Sequence, residues 1–137
     1  MARRRKIWVY TPPKSSKSKV PERLRAEILE KSHQLVENEL KPQNILPPPK
    51  HARFNYLVDI FTRWHQNFFY FCATYRCPGP NALSRFFEAR FARLKYVGGN
   101  HFNLAYMRHT GRWYEIERDL SVDECLSMIK ENCLFSP

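Results

Sequence analysis

The stretch Phe91-Ala-Arg-Leu-Lys-Tyr-Val-Gly-Gly-Asn-His-Phe-Asn-Leu-Ala-Tyr-Met-Arg108 decides the fold. Two runs of mixed apolar and polar residues flank Gly98-Gly99-Asn100. Glycine reaches positive φ without a steric penalty, so a Gly-Gly-Asn step between two such runs predicts a β-hairpin. The first strand is expected over Phe87 to Val97 and the second over Phe102 to Arg108. In the first, Phe91 belongs to one face and Arg90 to the other. The alternation slips near Arg93, which predicts a bulge there.

Towards the C-terminus, His109-Thr110-Gly111 turns the chain into a further strand, Arg112 to Arg118. Ser121-Val-Asp-Glu124 then matches a capping box, in which the Ser hydroxyl and the Glu carboxylate satisfy the free amides of a helix start. The helix is expected to run to about Glu131 with Cys125, Leu126 and Ile129 inward. Leu134 and Phe135 then tuck against the core.

Towards the N-terminus, Cys77-Pro-Gly-Pro-Asn81 interrupts the pattern, because two prolines and a glycine cannot continue a strand. Phe68 to Arg76 is apolar and aromatic on both faces and reads as a central strand. From Arg53, Phe54, Tyr56, Val58 and Ile60 alternate with Asn55, Leu57, Asp59 and Phe61, giving another strand that turns over Trp64 to Asn67. Pro47-Pro48-Pro49 is a stiff linker. Before it, Leu24, Ile28, Leu35, Val36 and Leu40 form the apolar stripe of a helix that Pro21 opens and Pro42 ends. The expected fold class is therefore α+β. An N-terminal amphipathic helix, an antiparallel meander of four to five strands and a C-terminal helix follow one another, with helices covering one face of the sheet. Residues 1–20 read as a basic flexible arm and residues 21–137 as a single domain.

The charge is uneven. The net charge is +10, and residues 1–20 carry seven basic side chains and no acid. Residues 21–50 are balanced, residues 51–97 carry seven basic and two acidic groups, and residues 98–137 carry four basic and six acidic. A hydrophobic content of 43% is enough for one packed core and excludes a wholly disordered chain. The most apolar run, Phe68 to Ala73, falls far short of the ~20 residues a spanning helix needs. No apolar segment follows Arg3-Arg-Arg-Lys6 as a secretory signal would require. The expectation is a cytoplasmic protein with no membrane contact.

The order of Phe91-Ala-Arg-Leu-Lys-Tyr96, Phe102 to Arg108, Gly111-Arg-Trp113, the acidic helix start Ser121 to Cys125 and a short aromatic tail resembles a family of small bacterial proteins. It is the domain of unknown function numbered three thousand and twenty-four. The resemblance is carried mainly by the C-terminal half and reaches back through Pro47 to Asp59, over residues 31–137. It implies a fold and a bacterial source, and it implies no activity and no catalytic residue. The basic arm and the Cys72 to Asn81 segment depart from the pattern.

Three function classes fit the residues. In the first, a non-catalytic domain contacts DNA or RNA through its arm. Arg3, Arg4, Arg5 and Lys6 neutralise phosphates, while Trp8 and Tyr10 stack on bases. Arg90, Arg108 and Arg112 would extend the basic surface. A basic arm also suits an acidic protein partner, so the second reading is an adaptor or complex subunit that docks through the arm and the polyproline segment. The third is a metal-dependent nuclease, in which Asp59 and Glu88 hold Mg²⁺ and Arg90 takes the place two residues after the glutamate. Arginine keeps its proton at neutral pH, which weakens that reading.

Cys72, Cys77, Cys125 and Cys133 lack the tight spacing of structural zinc sites. Free, partly buried thiols are expected, with no metal and no cofactor. His65, His101 and His109 sit at or near turns. Trp64, Trp113 and Tyr114 read as core or edge packing before they read as a ligand platform. No nucleophile elbow and no phosphate-cradling glycine loop is present.

Overall fold

The computed structural model describes residues 19–48, 50, 54–80 and 84–137. Strands β1 (Tyr56–His65), β2 (Phe68–Arg76), β3 (Phe86–Gly98), β4 (His101–Met107) and β5 (Trp113–Leu120) pair antiparallel in chain order, a five-stranded meander. Helix α1 (Glu22–Leu35) precedes the sheet and runs through a π-helical turn, Val36–Leu40, into the short α2 (Lys41–Asn44). Helix α3 (Val122–Glu131) follows the sheet, and the 3₁₀ turn Cys133–Phe135 closes the chain. This is the α+β order expected from the sequence.

The helical segments pack on one face. Leu24 and Ile28 of α1, Val36 and Leu40 of the π turn, and Val122, Cys125 and Ile129 of α3 meet Ile60, Phe69, Phe71, Leu94, Phe102 and Leu104 from the strands. Burying each of these large side chains contributes roughly 1.5–3 kcal/mol. Val20, at the end of the expected arm, is already part of this core. The capping box forms as the sequence requires. Ser121 Oγ accepts from the Glu124 amide at 3.2 Å, and the Ser121 amide donates to Glu124 Oε1 at 2.9 Å.

Pro42 does not end the helix. It falls in the first turn of α2, and the Lys41 amide reaches back five residues to the Val36 carbonyl. Proline in a regular helix removes one amide and crowds the carbonyl four residues earlier. The wider π turn just before it accommodates the ring, and the helix continues to Asn44.

Register shifts occur on every strand pairing, and those in β1 and β3 break the expected alternation. In β1, Leu57 lies opposite Tyr75 and Asp59 opposite Thr74, so Val58 is the extra residue. In β3, Ala92 lies opposite Phe71 and Arg90 opposite Cys72, so Phe91 is extra, two residues before the expected slip. The hairpin at Gly98, Gly99 and Asn100 has φ of 98°, 58° and 62°, the positive values that selected glycine there.

Candidate functional site

The sheet face turned away from the helices carries the unusual chemistry. Its side chains follow from strand register. Arg63 of β1 lies opposite Tyr70 of β2, Tyr70 opposite Arg93 of β3, and Arg93 opposite Ala105 of β4. A parallel row holds His65, Phe68, Lys95 and Asn103, and another holds Phe61, Cys72 and Arg90. Strict alternation would put Arg90 and Arg93, three residues apart, on opposite faces. The Phe91 bulge restores them to one face, with Lys95 beside them.

The basic groups lie over rings. The Arg90 guanidinium carbon is 4.3 Å from the Tyr70 centroid, and that of Arg63 is 5.2 Å from Phe61. Arg93 lies between two rings, 5.0 Å from Phe68 and 4.9 Å from Trp113. These distances fall within cation–π range. The rings are themselves neighbours. Phe68 and Tyr70 stand 6.0 Å apart and nearly parallel, and Tyr70 and Trp113 stand 5.9 Å apart.

The charge on this face is poorly compensated. Among the described residues Arg90, Arg93 and Lys95 form no ion pair, and Arg93 Nε has no hydrogen-bond partner. Acids in and beside these rows are engaged: Glu88 lies 3.4 Å from Arg63, Glu115 lies 2.9 Å from Arg118, and Asp59, opposite Thr74, lies 3.2 Å from Lys41. Cys72 lies beneath the cluster. Burial pushes its thiol up, and the Arg63 and Arg90 guanidinia oppose that shift with smaller effects. A guanidinium over a ring can stack on a planar base or bond a phosphate with its five donors.

The other candidate residues are dispersed. The Arg108 guanidinium lies 5.6 Å from the Tyr114 centroid. Tyr114 pairs with Tyr106, which packs on Phe135 on the helix side, so Arg90 and Arg108 serve opposite faces. Arg112 is exposed ahead of β5, and its carbonyl accepts from the Arg108 amide at 2.9 Å. Arg3, Arg4, Arg5, Lys6, Trp8 and Tyr10 lie outside the described residues. Arg63, Arg93, Lys95 and the rings of Phe61, Phe68 and Tyr70 were not anticipated as a group. Their signal was period-two spacing on β1 and β2, joined to a bulge whose exact position the sequence leaves open.

Asp59 and Glu88 both pair with Thr74, from β1 and β3 respectively, so their backbones lie two strand spacings apart, about 10 Å. Asp59 Oδ1 lies 3.2 Å from Lys41 Nζ, while Glu88 pairs with Arg63. No group of three or more His, Cys, Asp or Glu side chains placed to hold a metal ion occurs among the described residues. The four cysteines are free thiols. Cys72 lies on the face away from the described helices and Cys125 in the core on the other, where burial pushes its thiol up to about 12. Cys133 is exposed, and His101 lies 3.3 Å from Asp119. Trp64 packs on Phe69 under the Arg25 guanidinium, so Trp64 and Trp113 are also on opposite faces. Among the described residues no helix is long and apolar enough to cross a membrane.

A family model described as a domain of unknown function (DUF3024) matches residues 13–137. The match starts further towards the N-terminus than the resemblance traced in the sequence and spans the Cys72 to Asn81 segment. No curated protein and no solved structure matches the chain.

Proposed function

The chain belongs to the DUF3024 family, and from the geometry of the sheet face turned away from the described helices we propose that it is a non-catalytic nucleic-acid-binding protein. The observation that carries this reading is the set of three basic side chains, Arg90, Arg93 and Lys95, that form no ion pair among the described residues and are held over and beside aromatic rings. Positive charge supplies sequence-independent affinity for phosphates, and rings and guanidinia supply stacking. The seven basic residues of positions 1–20 add to the same attraction. A bacterial cytoplasm suits the reading, since nucleic acid is accessible there and free thiols persist.

The test is fluorescence anisotropy with labelled nucleic acid over a range of salt concentrations. Binding weakens steeply with salt. The Arg90→Ala, Lys95→Ala double variant binds more weakly, with a salt slope reduced by about 2. Removing residues 2–19 weakens binding further. Affinity unchanged in both variants would refute the proposal.

A further inference from the structure

Resting on that reading, we propose that the ligand is a single strand, DNA or RNA, with its bases laid on the sheet, rather than a duplex. The first argument is width. Five strands at ~4.8 Å spacing span about 19 Å, whereas the major groove is about 12 Å wide and admits one helix or a two-stranded ribbon. The sheet face cannot enter a groove, so a duplex would meet it only through phosphates.

The second argument is the chemistry of the face. A purely phosphate-binding surface needs only charge. Here the charged groups are layered with rings: Arg90 over Tyr70, Arg63 over Phe61, and Arg93 between Phe68 and Trp113. Phe68, Tyr70 and Trp113 form a continuous aromatic floor, with neighbouring centroids 6.0 and 5.9 Å apart. Tyr70 is itself only 6% exposed beneath Arg90. Unstacked bases, whose π-faces are open, therefore stack on the guanidinium planes of Arg90 and Arg93 and on the half-buried Phe68 and Trp113 rings, and paired bases inside a duplex cannot. The exposed Lys95, next to Phe68 in register, is left for the backbone phosphates. Glu88 and Glu115 are held by Arg63 and Arg118, which leaves the middle of the face positive.

Three labelled probes test this on the full chain: oligo(U), oligo(dT) and a blunt DNA duplex, at matched ionic strength. Both single strands, or one of them, bind about tenfold or more tighter than the duplex, and the difference between oligo(U) and oligo(dT) assigns the sugar. Binding quenches tryptophan fluorescence, and Trp113→Phe reduces that quenching, in the chain lacking residues 2–19 as well as in the full chain. Arg90→Lys keeps the charge and loses the planar guanidinium, so single-strand affinity falls by about three- to tenfold while the salt slope stays the same. A duplex bound as tightly as the strands, or an Arg90→Lys variant equal to the parent without quenching, would overturn the inference and leave nucleic-acid binding standing. Binding to none of the three probes would overturn both.

Discussion

Arg90 holds its guanidinium carbon 4.3 Å from the centroid of the Tyr70 ring, across the β2–β3 ladder and on the face away from the helices. Tyr70 is only 6% exposed, although no described helix covers it. The Arg90 guanidinium lies over its ring, with the Phe68 and Trp113 rings beside it. The contact depends on the extra residue Phe91, which brings Arg90 to the same face as Arg93. Arg90→Ala should cost about 0.5–1 kcal/mol, the value of an exposed cation–π contact. Tyr70→Phe keeps the ring and should preserve that coupling, while Tyr70→Leu should abolish it. A double-mutant cycle from urea titrations measures it.

The core beneath the helices should be far less tolerant. Phe71 is 0% exposed and packs edge-on to Phe69 at 5.6 Å. Phe71→Ala should destabilise the fold by about 3–5 kcal/mol, against a total of roughly 5–15 for a domain. Its Tm, followed by circular dichroism, should fall by about 10 °C or more. Phe86→Ala, at a side chain 47% exposed, should shift Tm much less.

Helix α3 should contribute a pH-dependent term. The hydrogen bonds from Ser121 to the Glu124 carboxylate hold its pKa below the ordinary value of 4.5. A depressed folded-state pKa gives stability that is fully present above the unfolded value and is lost as pH falls through the folded one. Ser121→Ala should cost about 1 kcal/mol near neutrality. Glu124→Gln should flatten the acid limb of the urea midpoint plotted between about pH 6 and about pH 3.

The thiols should separate in alkylation. Reaction needs an accessible thiolate. Cys133 is exposed and should react first with iodoacetamide in the native protein. Cys125, buried with its thiol pushed up to about 12, should react only on unfolding. Cys72, whose thiol burial also pushes up, should be slow, and faster in Arg90→Ala, which uncovers the face above it. Peptide mass spectrometry over time gives the order.

The local signals proved dependable because each is settled within a few residues. The Ser121–Glu124 box, the positive-φ hairpin at Gly98 to Asn100 and the apolar stripe of α1 all involve neighbours in the chain. Pro42 was misleading because its effect depends on the turn before it, and a π turn is not visible as a residue pattern. Arg90 was legible as a surface cation, but its grouping with Arg108 was not sustained. Bulges and turns between the two strands reassign faces.

The sequence by itself determined the α+β order, the antiparallel meander, the capped final helix and the excess of positive charge. These follow from periodicity, turn chemistry and composition, which act over short range. Only the tertiary structure decided which cations share a surface. Arg63, Arg90, Arg93 and Lys95 come from two strands, and they converge on Phe61, Phe68, Tyr70 and Trp113. Register has a period of two, so one extra residue at Phe91 moves every later side chain of β3 to the other face. Pairing between strands distant in sequence fixes where that residue falls.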